Sequence, residues 1–118
     1  MPFKTRAQTQ TQGGITVTAA VPTLEEAKSI YGLDLSLKGM QPVWIKVKNE
    51  ENLPYWLLPS GLDPAYFSAS EAAYAFRSST SNEIQQAVYK HFQDLQFRNP
   101  VRPGFTKSGF IIVNLDEG

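Results

Sequence analysis

Ile15, Val17, Ala19 and Val21 alternate with Thr16, Thr18 and Ala20, the period of two that a strand with one buried face requires. Pro22 ends that run. Thr23-Leu24-Glu25-Glu26 then forms a capping box, which predicts a short helix through Tyr31 closed by Gly32 in the left-handed conformation. A second alternation sets Val43, Ile45 and Val47 against Trp44, Lys46 and Lys48 and is the clearest strand of the chain. The polar turn Asn49-Glu50-Glu51-Asn52 leads into Leu53-Pro54-Tyr55-Trp56-Leu57-Leu58, so these two runs predict a hairpin. Upstream, Ala7-Gln8-Thr9-Gln10-Thr11-Gln12 reads as a polar edge strand that ends in a Gly13-Gly14 turn.

Further along, Pro59-Ser60-Gly61 and Asp63-Pro64 break the sheet, and Ser68-Ala69-Ser70-Glu71 offers a second capping box for a helix through Phe76. Thr80-Ser81-Asn82-Glu83 offers a third. Behind it Ile84, Ala87, Val88, His91, Phe92 and Leu95 recur at steps of three and four, predicting the longest helix. Phe110-Ile111-Ile112-Val113, after the turn Arg102-Pro103-Gly104, is a continuous apolar run of the kind found in strands covered on both faces. Such a strand wants a neighbour on each edge. Only Asn114-Leu115-Asp116-Glu117-Gly118 follows it here, so the sheet is expected to be incomplete at its C-terminal edge. The order of elements favours a mostly β, antiparallel fold with inserted helices over a parallel α/β one. It divides into a polar tract over 1–14 and one sandwich-like domain over 15–118, with a helical insertion near 69–96.

Composition narrows the function classes. Of 118 residues, 42% are hydrophobic and 12% aromatic, enough to offset the ordering entropy of one small domain. Eleven basic and eleven acidic residues cancel, which removes the electrostatic attraction that drives most nucleic-acid binding. The absence of cysteine excludes disulfides, thiolate metal sites and thiol catalysis within the chain. Met1-Pro2-Phe3-Lys4 leads into polar residues instead of a signal-type apolar segment, and no stretch approaches the ~20 apolar residues of a membrane span.

Candidate chemistry is sparse. His91 is the single histidine, placed on the helical stripe with no companion at ligand spacing, so it reads as a packing histidine. A hydrolytic or metal site would have to join it to Glu83 or Asp94. No serine stands in a Gly-x-Ser-x-Gly elbow, the acidic residues do not form a calcium loop, and Gly13-Gly14 precedes a strand instead of a phosphate-binding helix. No catalytic residue, metal or cofactor is expected. Tyr55, Trp56, Tyr66, Phe67, Tyr74 and Phe76 form an aromatic cluster, of which Tyr55, Trp56 and Tyr66 are the candidate binding residues for carbohydrate or lipid.

Several segments resemble a known module. They are Arg6–Thr11, Thr16–Val21, Gly39–Ile45, Pro54–Leu58, Leu62–Ser68, Glu71–Phe76, Ser108–Ile111 and Asn114–Gly118. Together they are similar to the immunoglobulin-like module that precedes a domain of the LssY C-terminus type in bacterial envelope proteins of undefined activity. The resemblance implies an antiparallel immunoglobulin-like β-sandwich, a location in the cell envelope or periplasm, and a non-catalytic structural or interaction role. It also implies a fragment, because no signal segment precedes Arg6 and the chain stops where the family's closing strands would begin. As written, without a leader, the chain is expected to be soluble or cytoplasmic. The expected partners are a neighbouring domain or protein, or a second copy, added to an open sheet edge.

Overall fold

In a computed structural model of the protein, residues 3–58, 63, 65–77 and 81–115 are described. The breaks expected at Pro59-Ser60-Gly61 and Pro64, the cap expected at Thr80 and the tail Asp116-Glu117-Gly118 lie outside them. A four-stranded antiparallel sheet runs in the order β1 (Gln8–Gln12), β2 (Ile15–Ala20), β3 (Met40–Asn49), β4 (Thr106–Asn114). Among the described residues three α-helices accompany it: α1 (Leu24–Tyr31), α2 (Ala69–Tyr74) and α3 (Asn82–Leu95). Among the described residues the strands form this single sheet.

The two capping boxes at Thr23 and Ser68 are formed, and Gly32 closes α1 at φ 76°. At α3 the N-cap is Ser81, whose hydroxyl accepts from the Ile84 N–H. The predicted hairpin between 42–48 and 53–58 is not formed. β3 is flanked by β2 and β4, while Tyr55 pairs with Val101 instead. The reason is Asn49, the first residue of the polar turn expected after β3. It is buried, and its side chain organises the following loop by donating to the carbonyls of Leu53 (2.9 Å) and Val101 (2.8 Å) and accepting from the Glu51 N–H (2.8 Å). The chain therefore turns over the face of the sheet instead of along its edge.

Both faces of β3 are occupied. Trp44, 9% exposed, lies with Ala20, Phe110 and Ile112 under Tyr31 of α1, Ala72 and Ala73 of α2 and Phe92 of α3. Phe3, from the short 3-10 turn Phe3–Arg6, packs edge-on against Trp44 at 6.2 Å. Among the described residues the helices cover this end of that face, and by register Lys46 and Lys48 continue it into solvent beside Thr18 and Thr16. On the opposite face Ile45, Val47 and Ile111 pack under Leu57, Phe97 and Val101, with Ile15, Val17, Val43 and Tyr55 partly buried around them. The cover here is an irregular ribbon, held by reciprocal Tyr55 and Val101 backbone bonds of 2.9 and 2.8 Å and by the Asn99 side chain on the Leu57 backbone.

β4 is covered on both faces as the apolar run predicts, yet it has one strand neighbour, not two. Its outer edge is met piecemeal. The Phe67 N–H donates to Ile112 O (2.8 Å), the Phe97 N–H to Phe110 O (2.9 Å), and the Asn114 N–H to the buried Asp63 carboxylate (2.7 Å). Gly109 permits the Phe97 approach, since a Cβ there would lie 2.6 Å from the Phe97 Cα.

Candidate functional site

With the β4 edge occupied from Phe110 to Asn114, the edge open along its whole length is β1, all five residues of which are exposed. Its hairpin turns at Gly13-Gly14, with φ +61° at Gly13 and no positive φ at Gly14, the pattern of a II′ turn. The turn is anchored to the β3–β4 end of the sheet: Gly14 N–H donates to the Glu51 carboxylate (2.9 Å) and Gly14 O accepts from the Glu50 N–H (2.7 Å). Gln12 pairs with Ile15 directly across this two-residue turn, so theirs is the first hydrogen-bonded pair of the hairpin. Alternation then turns the backbone groups of Gln8, Gln10 and Gln12 toward β2, and those of Thr9 and Thr11 away from the sheet. Thr9 and Thr18 hydroxyls meet at 3.1 Å and Thr11 and Thr16 at 3.2 Å, which fixes the register on one face.

The aromatic candidates are distributed. Tyr55 is half-buried against the Val47 and Val101 cluster, Trp56 is 59% exposed, and Tyr66 stands at the rim of a cavity of about 230 Å³ lined by Tyr31, Phe92, Asn99 and Phe110. Tyr55 faces a different depression, with Ile15, Glu51 and Leu53. A larger cleft, about 400 Å³, runs between α2 and α3 and is walled by Tyr74 and Tyr89 with Ala73 as its floor. At one end Ser70 Oγ bonds to Tyr89 Oη (3.3 Å) and accepts from Gln93 Nε2 (2.9 Å). At the other, the Arg77 guanidinium stacks 3.9 Å from the Tyr74 ring, and Gln85 Nε2 donates to the Arg77 carbonyl. Tyr74 belongs to the aromatic cluster evident in the sequence and Tyr89 does not, because the pairing of α2 with α3 brings them together from 15 residues apart and no periodicity within one helix reports it.

His91 is exposed, with Nε2 2.7 Å from the Ile30 carbonyl and its ring edge-on to Tyr31. The stripe of α3 is thus rotated from the expected one: Phe92 is buried, Val88 and Leu95 are half-buried, and Ile84, Ala87 and His91 face solvent. Among the described residues no three histidine, aspartate or glutamate side chains converge in the manner of a metal site. Perturbed titrations belong to structural groups. Burial pushes the Tyr31 phenol well above its ordinary range. The Glu26 carboxyl is lowered chiefly by the Thr23 N–H and next by the Arg6 guanidinium at 2.6 Å, and the Glu71 carboxyl by the Ser68 N–H.

Comparison with protein-family models, with curated proteins and with solved structures found no match to this chain.

Proposed function

We propose that this chain is a non-catalytic interaction module that binds a protein partner by strand addition to the outer edge of β1. The observation that carries this reading is an unprotected edge. Sheet edges are ordinarily guarded by lysine, proline, a bulge or a covering loop, because outward N–H and C=O groups recruit other strands. β1 reads Gln-Thr-Gln-Thr-Gln, regular through five paired residues, without a charge or a proline. The opposite edge shows the contrast, with Phe67, Phe97 and Asp63 occupying outward groups of Ile112, Phe110 and Asn114. Resemblance to the envelope modules named above supports a location in the cell envelope and a place beside another domain. In an immunoglobulin-type sandwich the Tyr55–Val101 ribbon would occupy the position of the second sheet, and that relationship is part of the proposal.

The test is photo-crosslinking in cells producing the protein, from a photoreactive residue at Gln10 and, as control, at Gln86 on the exposed side of α3. Adducts specific to position 10 that vanish in Thr9→Pro support edge pairing, since proline deletes an outward N–H and spares those bonded to β2. Equal labelling at both positions, or none at position 10, overturns it.

A second reading, a module that contacts carbohydrate or lipid, is favoured by one observation, the aromatic cleft of Tyr74 and Tyr89 with hydroxyl, amide and guanidinium groups at its ends. Such a combination offers stacking and directional bonds to a sugar ring. Glycan binding abolished by Tyr74→Ala and unchanged by Trp56→Ala would assign it to the cleft. The reverse result would return it to Trp56.

A further inference from the structure

Resting on the edge-pairing proposal, we infer that the strand best fitted to β1 is β1 of a second copy, joined antiparallel about a twofold axis through Gln10. The first ground is the sequence of the strand. Gln8-Thr9-Gln10-Thr11-Gln12 reads the same in both directions. An antiparallel twofold at its centre therefore sets Gln10 against Gln10, Thr9 against Thr11 and Gln8 against Gln12, like against like at every position. A point-symmetric interface must be self-complementary in just this sense.

The second ground is hydrogen-bond parity. Thr9 and Thr11 carry the outward N–H and C=O groups, and in an antiparallel ladder only residues of that parity exchange bonds with the incoming strand. With the axis on Gln10, Thr9 of each copy faces Thr11 of the other, and all of these outward groups are satisfied. Moving the axis to Thr9 or Thr11 would leave Thr11 or Thr9 opposite residue 7 or 13, outside the strand. The central register is the one that uses the strand in full.

Side chains agree. Threonines share one face of β1 and glutamines the other, so the Thr9–Thr18 and Thr11–Thr16 hydroxyl pairs extend into a continuous row across the joint. On the other face glutamine amides meet, each able to donate and accept. β1 holds no charge, and the chain has eleven basic and eleven acidic residues, so two copies approach without net repulsion. The product is a continuous eight-stranded sheet whose remaining edges are the two β4 strands, occupied from Phe110 to Asn114.

The absence of native cysteine makes the geometry directly testable. In this register Gln10 faces its symmetry mate as a non-hydrogen-bonded pair, with Cα atoms about 4.5 Å apart, inside disulfide range. Position 8 lies about 13 Å from its own mate but opposite position 12. Single-cysteine Gln10→Cys protein should oxidise rapidly to a covalent dimer. Gln8→Cys and Gln12→Cys should crosslink only when mixed with each other. Wild-type protein should sediment, at high micromolar concentration, with twice the 13.2 kDa mass of the chain. Thr9→Pro should weaken that association by about tenfold or more, through two lost bonds per dimer.

A chain monomeric at all concentrations, or crosslinking at position 8 alone as readily as at position 10, overturns the twofold. Failure of the dimer is separable from failure of the edge reading. Adducts at Gln10 in cells whose mass is not twice that of the chain would retain strand addition and assign the edge to another protein. The cysteine readout does not depend on the proline variant folding.

Discussion

Asn49 Nδ2 donates to the carbonyl of Val101 at 2.8 Å, linking the end of β3 to a segment 52 residues away. The same side chain serves Leu53 and Glu51, while its backbone N–H and C=O engage Phe105 (3.0 Å) and Gly104 (2.7 Å). One buried amide thereby ties the loop after β3 to the approach to β4. Its polar capacity is filled, so burial costs little as long as each partner stays in place.

Replacing Asn49 by Ala leaves the Leu53 and Val101 carbonyls and the Glu51 N–H without it. The Val101 carbonyl keeps the Tyr55 N–H, and Leu53 and Glu51 are exposed enough for water to replace the amide, so the loss is chiefly that of the bonds themselves and a destabilisation of about 1–3 kcal/mol is expected by urea unfolding. Asn49→Asp keeps the acceptor for Glu51 and loses both donated bonds, and it should also be strongly destabilised. A cost under about 1 kcal/mol for Asn49→Ala would mean that the loop does not depend on this residue.

Trp44 and Trp56 separate burial from exposure in one chain, at 9% and 59%. Trp44→Ala removes a ring that meets Phe3 at 6.2 Å and should cost about 3–5 kcal/mol, close to the whole stability of a small domain. Trp56→Ala should stay within about 0.5 kcal/mol. Fluorescence checks the placement independently. Trp44 alone, in Trp56→Phe protein, should emit further to the blue and resist acrylamide quenching better than Trp56 alone.

Gly109 is a packing glycine. A Cβ there would lie 2.6 Å from both the Cα and N of Phe97, backbone atoms that cannot swing aside as a side-chain tip can. Gly109→Ala should therefore destabilise by about 2–3 kcal/mol and speed hydrogen exchange at the Phe97 amide, which donates to Phe110. Unchanged exchange there would show that the 96–97 segment is not held against β4.

Glu26 links the N-terminal turn to α1 through Arg6 at 2.6 Å and caps the helix through the Thr23 N–H at 2.7 Å. Its carboxyl titrates below its ordinary value of 4.5, as does that of Glu71. Because the folded value is the depressed one, their stabilising contributions are complete above the ordinary value and fade as pH falls through the folded one. Carbon-detected NMR titration should place both midpoints below 4.5. Arg6→Ala should raise the Glu26 midpoint only part of the way, since the Thr23 N–H is the larger cause. A full return to 4.5 would reverse that order.

Local chemistry was legible in the sequence wherever one segment sufficed to decide it. The Thr23–Glu26 and Ser68–Glu71 capping boxes and the Gly32 terminus formed as read, because each satisfies its own backbone within a few residues. β2 and β3 formed where the period-two runs lie, though Val21 falls outside β2 and is exposed while Ala20, from the opposite set, is buried under the helices. The mostly antiparallel strand arrangement followed from the order of elements. Pairing between distant segments was decided only by the tertiary structure. Whether Leu53–Leu58 pairs with β3 or crosses the face beneath it depends on Asn49 finding Val101, a contact no local pattern encodes. The side of Trp44 was likewise open in the sequence, since Trp44 shares its face with Lys46 and Lys48, and here the helices bury Trp44 while the Tyr55–Val101 ribbon covers Ile45 and Val47 on the other face. Which edge of the sheet stays open was decided in the same way. The apolar half of β4, Phe110 to Asn114, is closed by Asp63, Phe67 and Phe97, whereas the polar β1, needing no cover, keeps its outward backbone groups in solvent.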